Sequence, residues 1–146
     1  MSVRSTTQRV ADVRARLESE VDVWVPSASA TGDAYLLPLS FYWDGMSVTI
    51  ATPKKSRTAR NLRRAGRARL ALGPTRDVVI LEGPVREIAV DADPALAEAH
   101  ARAAGFDARH DPGYVFIQLR PTRIQTWRNP AELEQRDVMR DGEWLD

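Results

Sequence analysis

The chain has 146 residues, 43% of them apolar, with 21 Lys and Arg against 20 Asp and Glu for a formal net charge of +1. That length suits one domain with one core over residues 1–146, and the balanced charge carries no chain-wide field for nucleic acid or an anionic membrane. The absence of Cys excludes disulfides, thiolate metal sites and cysteine nucleophiles, and with no apolar run of signal-peptide or membrane-spanning kind a soluble, cytoplasmic protein is expected.

Val10, Val13 and Leu17 recur at helical spacing over residues 7–17, and Ser5 followed by Gln8 resembles a capping box, so an amphipathic helix opens the chain. Val21, Val23 and Val25 then alternate with Asp22 and Trp24 as a strand does. After a turn at Gly32-Asp33, residues 35–43 and the alternating Val48, Ile50 and Thr52 flank Asp44-Gly45, the pattern of a β-hairpin. Pro38 lies inside the first arm and cannot donate to a ladder, which predicts an edge, a bulge or a place where another group approaches the backbone. A helix is predicted over residues 56–64, capped by Ser56 and stopped by Gly66. Strands follow at 69–72 and 78–88, joined through Gly73-Pro74. Asp93-Pro94 opens another helix, which residues 95–104 fill and Gly105 ends. Residues 114–119 and 123–127 return to β alternation, and Asp141-Gly142 gives a last turn before Trp144. Short strands with two or three helices predict a mainly β, α+β domain built on an antiparallel barrel or sheet.

Residues 52–64, Thr-Pro-Lys-Lys-Ser-Arg-Thr-Ala-Arg-Asn-Leu-Arg-Arg, set hydroxyls and cations at the start of a helix. A helix start offers unpaired N–H groups and partial positive charge, and Lys54, Lys55, Ser56, Arg57 and Thr58 add donors suited to one phosphate. A solvated basic helix is the plain alternative. Arg57, Arg60, Arg63, Arg64, Arg67 and Arg69 also invite a nucleic-acid reading, against which stand the near-neutral chain and the lack of a reader motif. Arg57, Arg60 and Arg64 share one helical face and would equally serve an extended anionic cofactor tail.

Three stretches carry a resemblance by their order and spacing. Residues 37–64, Leu37-Pro-Leu-Ser-Phe-Tyr-Trp-Asp-Gly through the Arg-rich helix, continue into Gly66-Arg-Ala-Arg-Leu-Ala-Leu; later come Val79-Ile-Leu-Glu-Gly-Pro-Val and Ile124-Gln-Thr-Trp127. Over residues 8–145 the chain resembles the pyridoxamine-5′-phosphate-oxidase-like split barrels, and it is most similar to their branch of deazaflavin-dependent reductases. The resemblance implies an antiparallel split β-barrel with a few flanking helices, FMN or coenzyme F420 as cofactor, a homodimer and a small-molecule substrate. Leu37, Pro38 and Leu39 would meet the flavin or deazaflavin ring through their backbone. Thr52, Lys55, Ser56, Arg57 and Thr58 would hold ribityl and phosphate oxygens, Lys54 and Asn61 would complete the binding set, and Trp127 would come from the dimer partner. Ser56-Arg57-Thr58 departs from the Ser-Arg-Lys common in the oxidases by one cation, for which Lys54 or Lys55 would compensate. The oxidases' Arg-Leu-His signature is replaced by residues 129–136, Asn-Pro-Ala-Glu-Leu-Glu-Gln-Arg, so a hydride-transferring oxidoreductase is expected rather than a true pyridoxamine-phosphate oxidase. A non-catalytic carrier or sensor of the same cofactor is the alternative.

His100 and His110 have no ligand-spaced carboxylates around them, so no metal site is expected. His100 is expected on the surface of its helix and His110 in a loop. Trp24 and Trp144 are assigned to packing, and Tyr35, Phe41, Tyr42 and Trp43 to core or dimer interface. Neither a Ser-His-Asp arrangement nor a phosphate-binding Gly-rich loop occurs, and no catalytic residue is assigned; a flavin-type cofactor carries the hydride itself and asks of the protein binding and orientation.

Overall fold

The computed structural model describes residues 2–146. The chain runs α1 (Thr6–Ser19), β1 (Asp22–Ala28), β2 (Ala34–Trp43), β3 (Val48–Pro53), α2 (Arg57–Ala65), β4 (Arg67–Leu72), β5 (Val78–Ala89), α3 (Pro94–Ala104), β6 (Tyr114–Leu119), β7 (Arg123–Trp127), β8 (Asp137–Arg140) and β9 (Glu143–Trp144). Short 3-10 segments at Ala108–His110 and Pro130–Gln135 fill the remaining connections. Among the described residues no helix is long and apolar enough to cross a membrane.

Strand neighbours follow the order β4-β1-β2-β3-β6-β5, and β5 pairs again with β4, so six antiparallel strands close into a barrel. The fold is therefore the mainly β split barrel that the sequence predicts. β2 and β5 each serve two sheets. Residues 34–40 of β2 pair with β1 and Phe41, Tyr42 and Trp43 with β3, while β5 pairs with β4 and β7 before Val85 and with β6 from Val85 on. Strands that switch sheets in this way make the corners of a barrel. β5 turns its corner at Gly83, where a Cβ would lie 2.1 Å from the Arg120 carbonyl oxygen, so only glycine admits that backbone.

The core follows from alternation. Val23 and Val25, Leu70 and Leu72, and Val79 and Leu81 point inward with Ile124, and Val10, Val13 and Leu17 of α1 pack against them. Each such side chain contributes about 1.5–3 kcal/mol by leaving water. A second, smaller cluster of Ala51, Leu96, Ala97, Ala108 and Phe116 lies beneath α3.

Helix ends sit where the capping residues put them. Ser5, Ser56 and Asp93 accept N–H bonds from Gln8, Ala59 and Leu96, and Gly66 and Gly105 end α2 and α3 in the left-handed conformation. The Gln8 side chain bonds Asp12 rather than Ser5, so only half of the capping box forms. Pro38 stands opposite Trp24 on an edge. Phe41 N donates to Val21 O, so the alternating odd residues of β2 face β1 and the Pro38 nitrogen faces the side where residues 34–40 have no strand partner.

Two expectations are corrected. His100 is fully buried, because helical spacing sets it on the inner face of α3 with Leu96 and Ala97. Trp24 is 46% exposed rather than packed, because Val23 and Val25 occupy the inward positions on either side of it.

Candidate functional site

β3 ends at Pro53, two lysines make the turn, and Ser56 begins α2. The turn is tied at several points. Lys54 N donates to Gly113 O at 2.7 Å, Ser56 N to Pro53 O at 3.0 Å, and the Thr52 and Ser56 hydroxyls lie 3.2 Å apart. Thr52 and Thr58 are buried, Thr58 with its hydroxyl unpartnered, while Lys54 and Lys55 are exposed. Residues 52–58 therefore form one tied turn that brings the Thr52 and Ser56 hydroxyls and two exposed lysines to the N-terminus of α2, where helix N–H groups begin.

The next turns of α2 lean over the β1–β2 hairpin. The Arg57 guanidinium lies 5.4 Å from the centre of the Tyr35 ring, Asn61 Nδ2 donates to Ser27 Oγ at 3.0 Å, and an Arg64 N–H donates to Ala28 O at 2.6 Å. These residues, at i, i+4 and i+7, share one helix face. Beyond them a cleft of about 390 Å³ opens between β1, α2 and β4, walled by Asn61, Arg64, Arg67 and Ser27 among others.

The arginines divide into two groups. Arg63 pairs with Glu87 and Arg69 with Glu82. Arg57, Arg60, Arg64 and Arg67 have no carboxylate within 4.0 Å among the described residues, so their charge remains available. An unneutralised stripe thus runs from the Ser56 turn along α2 to the cleft. Its chemistry is the recognition of anions by cations and N–H donors. Among the described residues no group of three metal-ligating side chains occurs.

Leu37 and Leu39 are half-buried on β2 and Pro38 is exposed; the contact of Arg57 with Tyr35 brings this strand beside the first turn of α2. Arg57 thus meets β2 at Tyr35, two residues before Leu37, and Thr52, Lys54, Lys55, Ser56, Thr58 and Asn61 are gathered with Arg57 around the start of α2. Trp127 is not. It ends β7, which pairs with β5 and β8, and its ring lies 6.0 Å from the Arg136 guanidinium. Sequence reasoning missed Tyr35, Ser27 and Ala28 as supports of α2; for Tyr35 the signal was its place two residues before Leu37 on the same face of the strand.

A family model described as pyridoxamine 5′-phosphate oxidase matches residues 10–128. No curated protein matches the chain in sequence. Many solved structures share its fold, three of them as follows. A heme binding protein from Mycobacterium smegmatis is 18% identical with a TM-score of 0.69, covering 89% of this chain and 57% of that one. An F420 reductase is 17% identical with a TM-score of 0.63, over 76% and 94% of the two chains. A pyridoxamine 5′-phosphate oxidase-related, FMN binding protein from Nostoc punctiforme PCC 73102 is 13% identical with a TM-score of 0.59, over 86% of each.

Proposed function

The chain belongs to the pyridoxamine 5′-phosphate oxidase family, and from that premise we propose that it is an oxidoreductase whose cofactor is FMN or coenzyme F420. The observation that carries this reading is the tied turn at residues 52–58, where the Thr52 hydroxyl meets the Ser56 cap at the start of α2 and the cations of Lys54, Lys55 and Arg57 are its sequence neighbours. The cofactor would supply hydride transfer to or from a small organic substrate. Ser56, Thr52, Lys54, Lys55 and Arg57 would hold its phosphate and ribityl oxygens, with Thr58 and Asn61 behind them. Leu37, Pro38 and Leu39 would meet the ring through their backbone, with the Pro38 carbonyl on the unpaired strand edge. In this reading the protein works in the cytoplasm as a homodimer, with neither nucleic acid nor membrane as partner, and Trp127 closes the site of the partner subunit.

The stripe from Arg57 to Arg64 bears on the choice of cofactor. Seven residues of helix span about 10 Å, a reach that suits the anionic tail of F420, whereas the turn at the start of α2 alone suits the single phosphate of FMN. Parallel titration with FMN and F420, followed by cofactor fluorescence, tests both. Micromolar or tighter binding of one selects it, and failure of both removes the functional reading. Replacing Ser56 and Arg57 together by Ala is expected to weaken binding by about 2–4 kcal/mol, from charge-assisted hydrogen bonds of roughly 1.5–3 kcal/mol each with imperfect additivity. Unchanged affinity would move the site elsewhere. A carrier, the second reading, predicts equally tight binding with no turnover across a broad substrate panel.

A further inference from the structure

His100 has none of its surface exposed. Its ring centre lies 5.6 Å from that of Phe106 and 5.1 Å from that of Phe116. Neither Nδ1 nor Nε2 has a hydrogen-bond partner. A neutral imidazole here leaves one donor and one acceptor unmet; a protonated one would leave two donors and a charge unmet. The apolar side chains around it, Ala51, Leu96, Ala97, Ala108 and Phe116, can answer neither.

The place of this ring in the topology gives it leverage. Residues 90–113 leave the barrel after β5 and return at β6, beside the pairing of Ala89 with Val115. α3 and the 3-10 turn after it therefore form a flap outside the six-stranded ring, seated on a cluster distinct from the main core. The flap ends at Gly113, whose carbonyl accepts the N–H of Lys54. Its closure is thus linked to the turn that begins α2.

We propose that protonation of His100 opens this flap, exposing the cluster beneath α3 and freeing the Lys54 turn, so that acid loosens the candidate site while the barrel stays folded. Burial holds the His100 ring below its usual value, and the charge of Asp107 pulls weakly the other way. The other ionisable groups on the surrounding elements are engaged or turned outward. Glu98 on α3 and Asp107 both pair with Arg109, His110 is 81% exposed, and Glu87 on β5 pairs with Arg63. Arg102 on α3, Tyr114 on β6 and Tyr42 on β2 give His100 no hydrogen bond.

Because the closed flap binds the proton less readily than the open one, closure is at full strength above the ordinary histidine value of 6.5 and weakens as pH falls below it. The open population should rise by up to about 30-fold between pH 8 and pH 5. Native-state hydrogen exchange on the full chain, corrected for intrinsic exchange rates, reads this. Amides of α3 and the amide of Lys54 should lose protection by up to that factor, while those of Leu81 and Ile117 in the barrel keep theirs. In His100→Leu the pH dependence should vanish at α3 and Lys54, with His100→Phe serving if the leucine variant fails to fold. Protection of α3 that ignores pH in this range, or a pH dependence that survives the substitution, would overturn the proposal. So would parallel loss at Leu81 and Ile117, or a Lys54 amide that stays protected while α3 opens.

Discussion

Glu132 is a carboxylate with 1% of its surface exposed, and it survives there because four N–H groups reach it. Arg4 supplies its backbone N–H, Nε and a terminal nitrogen at 3.0, 3.0 and 2.8 Å, and the backbone N–H of Arg128 adds one at 2.8 Å. Those hydrogen bonds from Arg4 hold the carboxyl down at about 2, below its ordinary 4.5, against the opposing effect of burial. A lowered value means stability that is present above pH 4.5 and is lost as pH falls toward 2. Glu132→Gln is expected to destabilise the protein by about 3 kcal/mol at pH 7, because it breaks a buried ion pair and leaves Arg4 with Asp12 as its remaining carboxylate. The same variant should flatten the loss of stability between pH 4.5 and pH 2. Urea midpoints at pH 7, 4.5 and 3 for both proteins decide it; equal midpoints at pH 7 would leave the ion pair without a stabilising role. Nothing in the sequence pointed to this pair, since its members lie 128 residues apart. The buried Arg9, which donates to Gln135 O, was hidden for the same reason, whereas the burial of His100 was there to read in its helical spacing from Leu96 and Ala97. Ser56, Gly66 and Asp93 were legible because a cap is decided by the four residues that follow or precede it.

At the scale of elements, the helices and strands were legible wherever periodicity and punctuation agreed, as in α2 between Ser56 and Gly66. β8 was not, because Asp137–Arg140 shows no clear alternation and joins β7 across a register shift at Ile124 and Gln125. α3 offers a test of the local rule. Asp93 accepts the Leu96 N–H at 3.1 Å and Pro94 follows at the first helical position. Asp93→Ala removes the acceptor and should cost about 1 kcal/mol, whereas Asp93→Gly should cost only a few tenths. Chemical denaturation of the three proteins measures the difference. Equal losses for Ala and Gly would show that backbone freedom rather than the cap limits the start of α3. The candidate site was legible for a related reason. Residues 52–61 are contiguous in sequence, so their convergence at one helix start required no long-range contact, while the seating of α2 on Tyr35, Ser27 and Ala28 did.

The whole molecule leaves one face of its barrel uncovered. Although β4 and β5 close the six-stranded ring, residues 34–40 of β2 keep an unpaired edge. On the outward face of the same hairpin, Trp24 stands opposite Pro38 and Pro26 opposite Leu36, and all four are exposed. A contiguous apolar patch on a water-soluble surface marks a contact with another body. In the proposed homodimer that body is a second copy, which would cover the patch and bring its Trp127 to the site that this chain lacks. The expected outcome is a dimer at micromolar concentration by sedimentation, and a monomer with unchanged circular dichroism when Trp24→Glu and Leu36→Glu are combined, since two patches bearing like charges that must be desolvated oppose association. The monomeric variant should then bind the cofactor more weakly than the wild type, as Trp127→Phe should in the intact dimer. A wild type that stays monomeric would remove the shared site, whereas a dimer untouched by the double substitution would place the interface on another face, with Tyr42 and Trp43 the next surface to change.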